Sequence, residues 1–170
     1  MKLKLLLGAV ILVCSIQSSA QKVEVITEKM NKLSALIGDW EGSGWYQQGR
    51  SERHNIKQHE HIESKLNGTV LLVEGKGYIA DTLSFNALAF FSFDQEKNSY
   101  KIESHLADGK STIATGSFNE NGQFIWGFKV PQGNIRYTMT ITDTTWNEYG
   151  EYSSDGEQWW EFMEMNLTKK

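Results

Sequence analysis

The chain has one cysteine, Cys14, and one proline, Pro131, among its 170 residues. With a single cysteine no disulfide can form within it, so an exported form must be held by its core. Nor is there an excess of basic charge: 17 Lys and Arg stand against 21 Asp and Glu. That balance speaks against nucleic acid and anionic membrane as partners, because both favour basic surfaces. The glycine-rich stretch 36–49 lacks the Gly-Lys-Ser/Thr ending of a phosphate loop, and the chain has no Gly-x-Ser-x-Gly nucleophile elbow and no second long apolar run. Helical periodicity is also missing beyond Gly38.

The one apolar run present is "LLLGAVILVC", preceded by Lys2 and Lys4 and followed by "QSSA". It is shorter than the about 20 residues needed to span a bilayer. A basic start, a short apolar stretch and small residues before a cut describe a secretory signal peptide over residues 1–20. Cleavage after Ala20 would leave residues 21–170 as a single domain without cysteine, in the periplasm or outside the cell. Removing Lys2 and Lys4 leaves 15 basic against 21 acidic residues, so the net charge becomes 15 − 21 = −6. A domain of this length can bury a sufficient core.

Within that domain Ile26, Met30, Leu33 and Ile37 recur at helical spacing, and Gly38 stands where a helix would stop. This predicts a helix from Glu28 to Leu36. Thereafter short alternating runs are separated by Asn67-Gly68, Asp108-Gly109, Asn121-Gly122, Gln132-Gly133 and Asp155-Gly156. Such dipeptides supply the positive φ of tight hairpins. About ten strands are expected: 39–48, 52–65, 69–79, 83–93, 98–107, 111–119, 123–130, 134–143, 145–153 and 158–168. Pro131 falls at a strand end, where a missing N–H does least harm. A meander this long leaves two bare edges unless it closes, so the expected fold is all-β: a closed up-and-down antiparallel barrel with one N-terminal helix.

"LIGDWEGSGWYQQG" (residues 36–49) opens the first strand. By period two Trp40, Gly42, Gly44 and Tyr46 share a face. Small residues there let the strand bend, and Trp40 is placed to plug one end of the barrel. A short helix followed by Gly38, Trp40, Gly42 and Gly44 in a G-x-W-x-G-x-G pattern resembles the calycin-like barrels, which include lipocalins, fatty-acid-binding proteins and nitrobindin-type heme barrels. "LIGDWEG", "LNGTVLLVEG", "LAFFSFDQEKNSY" and "MEMNLTKK" are, in that order, similar to segments of a bacterial, secreted lipocalin-like family of unknown function. The likeness runs over nearly all of residues 21–170. It implies a barrel fold and lends no activity. The heme-binding relatives hold iron through a histidine on a late strand. No histidine follows His105 here, and Trp159, Trp160 and Phe162 stand in that region. Heme is therefore not expected, nor any other cofactor.

The densest polar run is "RHNIKQHEHIESKL", residues 53–66. His59 and His61 share one face with Arg53, Asn55, Lys57, Glu63 and Lys65. That spacing can hold zinc, but the company is that of a solvated exterior, and no metal site is expected. The other face carries His54, Ile56, Gln58, Glu60 and Ile62. If the isoleucines point inward, so do Gln58 and Glu60. A carboxyl inside an apolar barrel has its pKa raised by desolvation, which makes it a candidate acid or base. Tyr46, Phe124, Trp126, Phe128, Tyr137 and Met139 complete the expected lining, with some of Phe90, Phe91 and Phe93. In "WWEFMEM" the inward set is either Trp159, Met163 and Met165 or Trp160 and Phe162. Three functions fit: a barrel holding a small apolar or amphipathic molecule, an enzyme (isomerase, hydratase or hydrolase) using Glu60 with His54 or Tyr137, and a filled barrel meeting a protein partner through its surface.

Overall fold

The computed structural model describes residues 21–49 and 51–170. The expected leader, residues 1–20, lies outside the described residues. Helix α1 covers residues 21–31, and a 3₁₀ turn follows at Ser34–Leu36. Ten strands come next: β1 (Gly38–Tyr46), β2 (His54–Lys65), β3 (Val70–Ile79), β4 (Thr82–Asp94), β5 (Ser99–Leu106), β6 (Ser111–Phe118), β7 (Phe124–Val130), β8 (Gly133–Ile141), β9 (Thr145–Ser153) and β10 (Trp160–Lys169). Each pairs antiparallel with its neighbours in sequence, and β10 returns to β1, so the sheet is a closed barrel. Every strand lies within two residues of its expected span.

The helix is displaced from its expected place: it ends at Asn31, not Leu36. Its apolar stripe is nonetheless real. Lys32 and Leu33 donate to carbonyls three residues back, at 3.2 and 2.9 Å, which tightens the chain into the 3₁₀ turn. Met30, Leu33 and Leu36 then join Trp40 in one fully buried cluster. Three hydrogen bonds pin this cap to the barrel. Trp40 Nε1 donates to the Leu36 carbonyl at 2.7 Å, the Tyr100 hydroxyl to the Lys29 carbonyl at 2.7 Å, and Lys169 Nζ to the Ala35 carbonyl at 2.9 Å. Trp40 is the expected plug, 1% exposed and edge-on to Trp146 at 6.0 Å. Beside it Phe91, Phe93, Tyr100, Phe118 and Phe124 close the capped end in a set of aromatic contacts.

The glycines of β1 answer to sterics. A Cβ on Gly42 would stand 2.0 Å from the Asn166 carbonyl oxygen, and one on Gly44 1.9 Å from that of Glu164. These contacts lie at the β1–β10 seam, so only glycine lets the first and last strands meet.

At the expected hairpins Gly68, Gly109, Gly122, Gly133 and Gly156 all take positive φ. The β3–β4 turn is different. Its two central residues, Ala80 (φ 46°) and Asp81 (φ 63°), are left-handed without being glycine. Replacing the pair by Asn-Gly (A80N/D81G) relieves that cost, and we expect about 1 kcal/mol of added stability, or roughly 2–4 °C in Tm. The loss of the exposed Lys57–Asp81 ion pair (2.8 Å) subtracts little. Thermal unfolding followed by circular dichroism checks this, and an unchanged or lower Tm counts against strain at that turn.

Candidate functional site

Register decides what faces inward. Trp40, Gly42, Gly44 and Tyr46 of β1 stand beside Glu60, Gln58, Ile56 and His54 of β2, and Glu60 and Gln58 stand beside Gly75 and Gly77 of β3. Following the ladders round the barrel puts Phe124, Trp126 and Phe128 inward on β7, Ile135, Tyr137 and Met139 on β8, and Trp146, Glu148 and Gly150 on β9. On β10 a bulge between Glu161 and Met163 switches the parity. Trp160 precedes it on the inward register, and Met163, Met165 and Leu167 follow on it. Phe162, at the bulge, also packs inside, edge-on to Tyr46 and Tyr137. The two inward sets that the sequence left open are therefore both partly used. On β4 the inward pair is Phe91 and Phe93, while Phe90 is exposed outside.

The interior has two halves. At the capped end the inward side chains are fully buried, Phe124 and Met139 among them at 0% and 1% exposure. Those two belong to the packed floor. Towards the other end Tyr46, Ile56, Ala87, Ala89, Trp126, Phe128, Ile135, Tyr137 and Met163 are only half-buried, although all lie on the inward register. Of these, Tyr46, Ile56, Ala87, Ala89, Tyr137 and Met163 touch no outer cavity and meet solvent only from inside or from the open end. The half away from the helix is therefore an open cup. Its two sides differ. Small residues (Gly75, Gly77, Ala87, Ala89) stand on β3 and β4, and large ones (Trp126, Phe128, Tyr137, Phe162) on β7 to β10. Trp126 and Tyr137 stack face to face, 4.1 Å apart and 13° from parallel.

Polar groups sit where floor and cup meet. Gln58 Nε2 donates to Glu60 Oε1 at 2.6 Å. Both carboxylate oxygens of Glu60 lie where a Cβ on Gly75 would be, 2.8 Å from it, and Gln58 Oε1 lies likewise over Gly77, at 2.7 Å. The two glycines thus make room for the two polar side chains. From β9, Glu148 accepts from Trp126 Nε1 (2.9 Å) and Trp146 Nε1 (3.2 Å). Burial pushes the Glu60 carboxyl up to about 8; the Gln58 hydrogen bond opposes this, and the charge of nearby Glu148 adds to it. Burial likewise pushes Glu148 up to about 7 against its two indole hydrogen bonds. The Tyr137 hydroxyl is raised by burial, with Glu148 and Tyr46 contributing. Every fully buried side-chain N or O among the described residues has a partner. The hydroxyls of Tyr46 and Tyr137 have none there, so they face the cup.

Of the expected residues, Tyr46, Gln58, Glu60, Trp126, Phe128 and Tyr137 come together around this cup. His54 does not join Glu60. Six residues further along β2, it is about 20 Å away at the exposed rim, because a strand advances about 3.3 Å per residue. His59 and His61 are on the outer wall, facing Glu41 (3.4 Å) and Asp39 (2.6 Å) of β1. No group of three or more His, Cys, Asp or Glu that could hold a metal occurs among the described residues. Glu148 is the residue that sequence reasoning missed. In "TTWNEYGEYS" both parities mix aromatic with polar side chains, so alternation alone does not choose a face. Gly150, in step with Trp146 and Glu148, is the available signal.

An open-sided cavity of about 750 Å³ lies against β6, β7 and β8. It is lined by outward-facing Ile113, Thr115, Ile125 and Arg136 and by Trp159 ahead of β10, with Trp126, Phe128 and Ile135 of the inward register at its edge. Here the barrel wall is thinnest: β6 and β7 pair only from Thr115↔Gly127 to Phe118↔Phe124.

No family model matches the sequence. No curated protein matches it either. Solved structures do match in fold. Rv2717c from M. tuberculosis superposes with a TM-score of 0.66 at 10% identity, over 83% of this chain and 96% of that one. The S-type phycobiliprotein lyase CPES from Guillardia theta gives 0.55 at 8% identity, over 86% and 90%. At these identities the likeness is one of fold alone, a calycin-like, lipocalin-like closed barrel in keeping with the ten-strand meander.

The raised carboxyls set a pH dependence. A group whose folded pKa exceeds its unfolded value near 4.5 favours the fold less as pH climbs from that value through the folded one. We expect Tm to fall between pH 5 and pH 8 and the E60Q/E148Q double variant to show a shallower slope. His61, raised mainly by its hydrogen bond to Asp39, loses stabilisation in the same direction, so some slope remains. Melting curves at four pH values test this. Equal slopes in the two proteins would contradict buried neutral carboxyls.

Proposed function

We propose that this protein is a binding barrel that takes a small apolar or amphipathic molecule into its cup, outside the cytoplasm if residues 1–20 act as an export signal. The observation that carries the reading is the half-buried state of inward-facing Tyr46, Ile56, Ala89 and Tyr137, none of which lines the outer cavity, in a barrel whose other half is solid. Ala87 and Ala89 of β4 facing a wall of aromatic rings leave a slot suited to a flat or chain-like body, with few polar groups to orient it. The bilin-lyase name of one structural neighbour is compatible with a barrel that handles a small molecule. It says nothing of which molecule this chain takes.

The test is fluorescence of a neutral apolar probe, N-phenyl-1-naphthylamine, with and without A89F. Ala89 is inward and half-buried, so a phenyl ring there projects into the cup. Wild type should enhance and blue-shift the probe, and A89F should bind at least about tenfold more weakly while keeping its Tm within a few degrees. Probe binding indifferent to A89F would place the apolar site outside the cup, and no binding at all would sink the proposal.

A further inference from the structure

Among the described residues the cup floor holds two carboxyl side chains and no cation. Glu60 and Glu148 are 9% and 5% exposed, each close enough for the charge of Glu148 to act on Glu60. Among the described residues on the inward register only two basic side chains occur. His54 lies out at the rim, and Lys169 lies under the floor, with its Nζ on the Ala35 carbonyl and over the Trp40 ring. Around the carboxyls stand Gln58, Gly75, Trp40, Trp126, Trp146, Tyr137 and Tyr46, of which only the two tyrosines titrate. Buried acids are ordinarily paired or hydrogen-bonded in full. Here Gln58, 4% exposed, gives Glu60 one hydrogen and leaves its own carbonyl oxygen without a donor among the described residues. The stacked Trp126–Tyr137 pair and the ring of Phe162 form the adjacent wall, and aromatic faces attract cations.

Resting on the cup reading, the geometry points to a ligand that is an organic cation: a protonated amine on a flat or apolar body, with its nitrogen between Glu60 and Glu148 and its body against the Trp126–Tyr137 wall. An ammonium supplies up to three N–H donors and no acceptor. The floor offers the matching acceptors, namely Glu60, Gln58 Oε1 and Glu148, whose two indole donors hold its carboxylate in place. An anion meets no cationic side chain there among the described residues and faces the repulsion of the two carboxyls once these ionise, with only O–H groups such as those of Tyr46 and Tyr137 to donate to it. A neutral body gains the wall but leaves the acceptors unmet. Binding an ammonium favours ionised carboxyls, so these groups, both raised by burial, give up protons as it binds at a pH below their raised values.

Three probes that share one ring system separate the readings: tryptamine (cation), 3-ethylindole (neutral) and indole-3-propionate (anion). Titration calorimetry is run at pH 6.5 in two buffers of different ionisation heat. We expect tryptamine to bind about tenfold or more tightly than 3-ethylindole, the anion to bind weakest, and protons to be released when tryptamine binds. E60Q should cut the tryptamine affinity about tenfold while leaving 3-ethylindole within about twofold. If that variant does not fold, the wild-type order of affinities and the proton release still decide. If 3-ethylindole binds as tightly as tryptamine, or no protons are released, the cation reading fails and the cup stands. If no ring of any charge binds, the cup reading fails with it.

Discussion

Closure of the sheet is the constraint on which everything else rests. Ten strands make a barrel only if β1 and β10 reach one another, and they do so across Gly42 and Gly44, where a single added carbon would collide with the carbonyls of β10. Once the seam is shut, inside and outside become distinct along every strand. Trp40 is then directed into the end of the tube, against Trp146 and under the helix. The same short segment thus supplies the seam, the plug and, through Tyr46, part of the cup. It is dense in both glycine and aromatic residues because it must approach one neighbour closely and fill space beside another.

Much of this was legible in the order of residues, for physical reasons. Alternation with period two is imposed by the pleat, and Asn-Gly or Asp-Gly turns announce themselves through the φ angles they permit. All ten strands were therefore readable, as was the inward face of β2 with Gln58 and Glu60. Three things were not. The helix was misplaced: it covers 21–31 and not 28–36, and its end was missed because the apolar stripe continues unbroken through a tighter 3₁₀ turn. The inward set of β10 was undecidable, because the bulge at Phe162 changes parity mid-strand and no local residue type requires it. Glu148 was missed because β9 is amphipathic in neither parity.

The division into a solid half and an open half was also beyond local reading. Phe124 and Trp126 are two residues apart on one strand and one face, yet the first is wholly enclosed and the second lines the cup. What separates them is the far wall. Around Phe124 stand other rings, Phe91, Tyr100 and Phe118, whereas nearer the open end β4 carries only Ala87 and Ala89 on its inward face. Hollow space in a barrel comes from what the opposing strands omit, and strand-by-strand inspection does not add up those omissions.

The placement of the polar groups follows from the same division. Deep in the floor a carboxyl would meet only rings, and at the rim it would be solvated and indifferent. At the boundary it is desolvated enough to be held largely neutral, yet within reach of anything that enters the cup. Gly75 and Gly77 are shaped to receive Glu60 and Gln58, so these polar side chains are accommodated by the backbone rather than forced on it. A buried acid costs stability as pH rises, and replacement by a well-packed apolar residue is often neutral or stabilising. A fold that carries two such acids, each provided with its own hydrogen-bond donors, keeps them at some thermodynamic disadvantage. That disadvantage is offset when a bound molecule brings the hydrogens or charge that the floor lacks, and stability then becomes linked to occupancy of the cup.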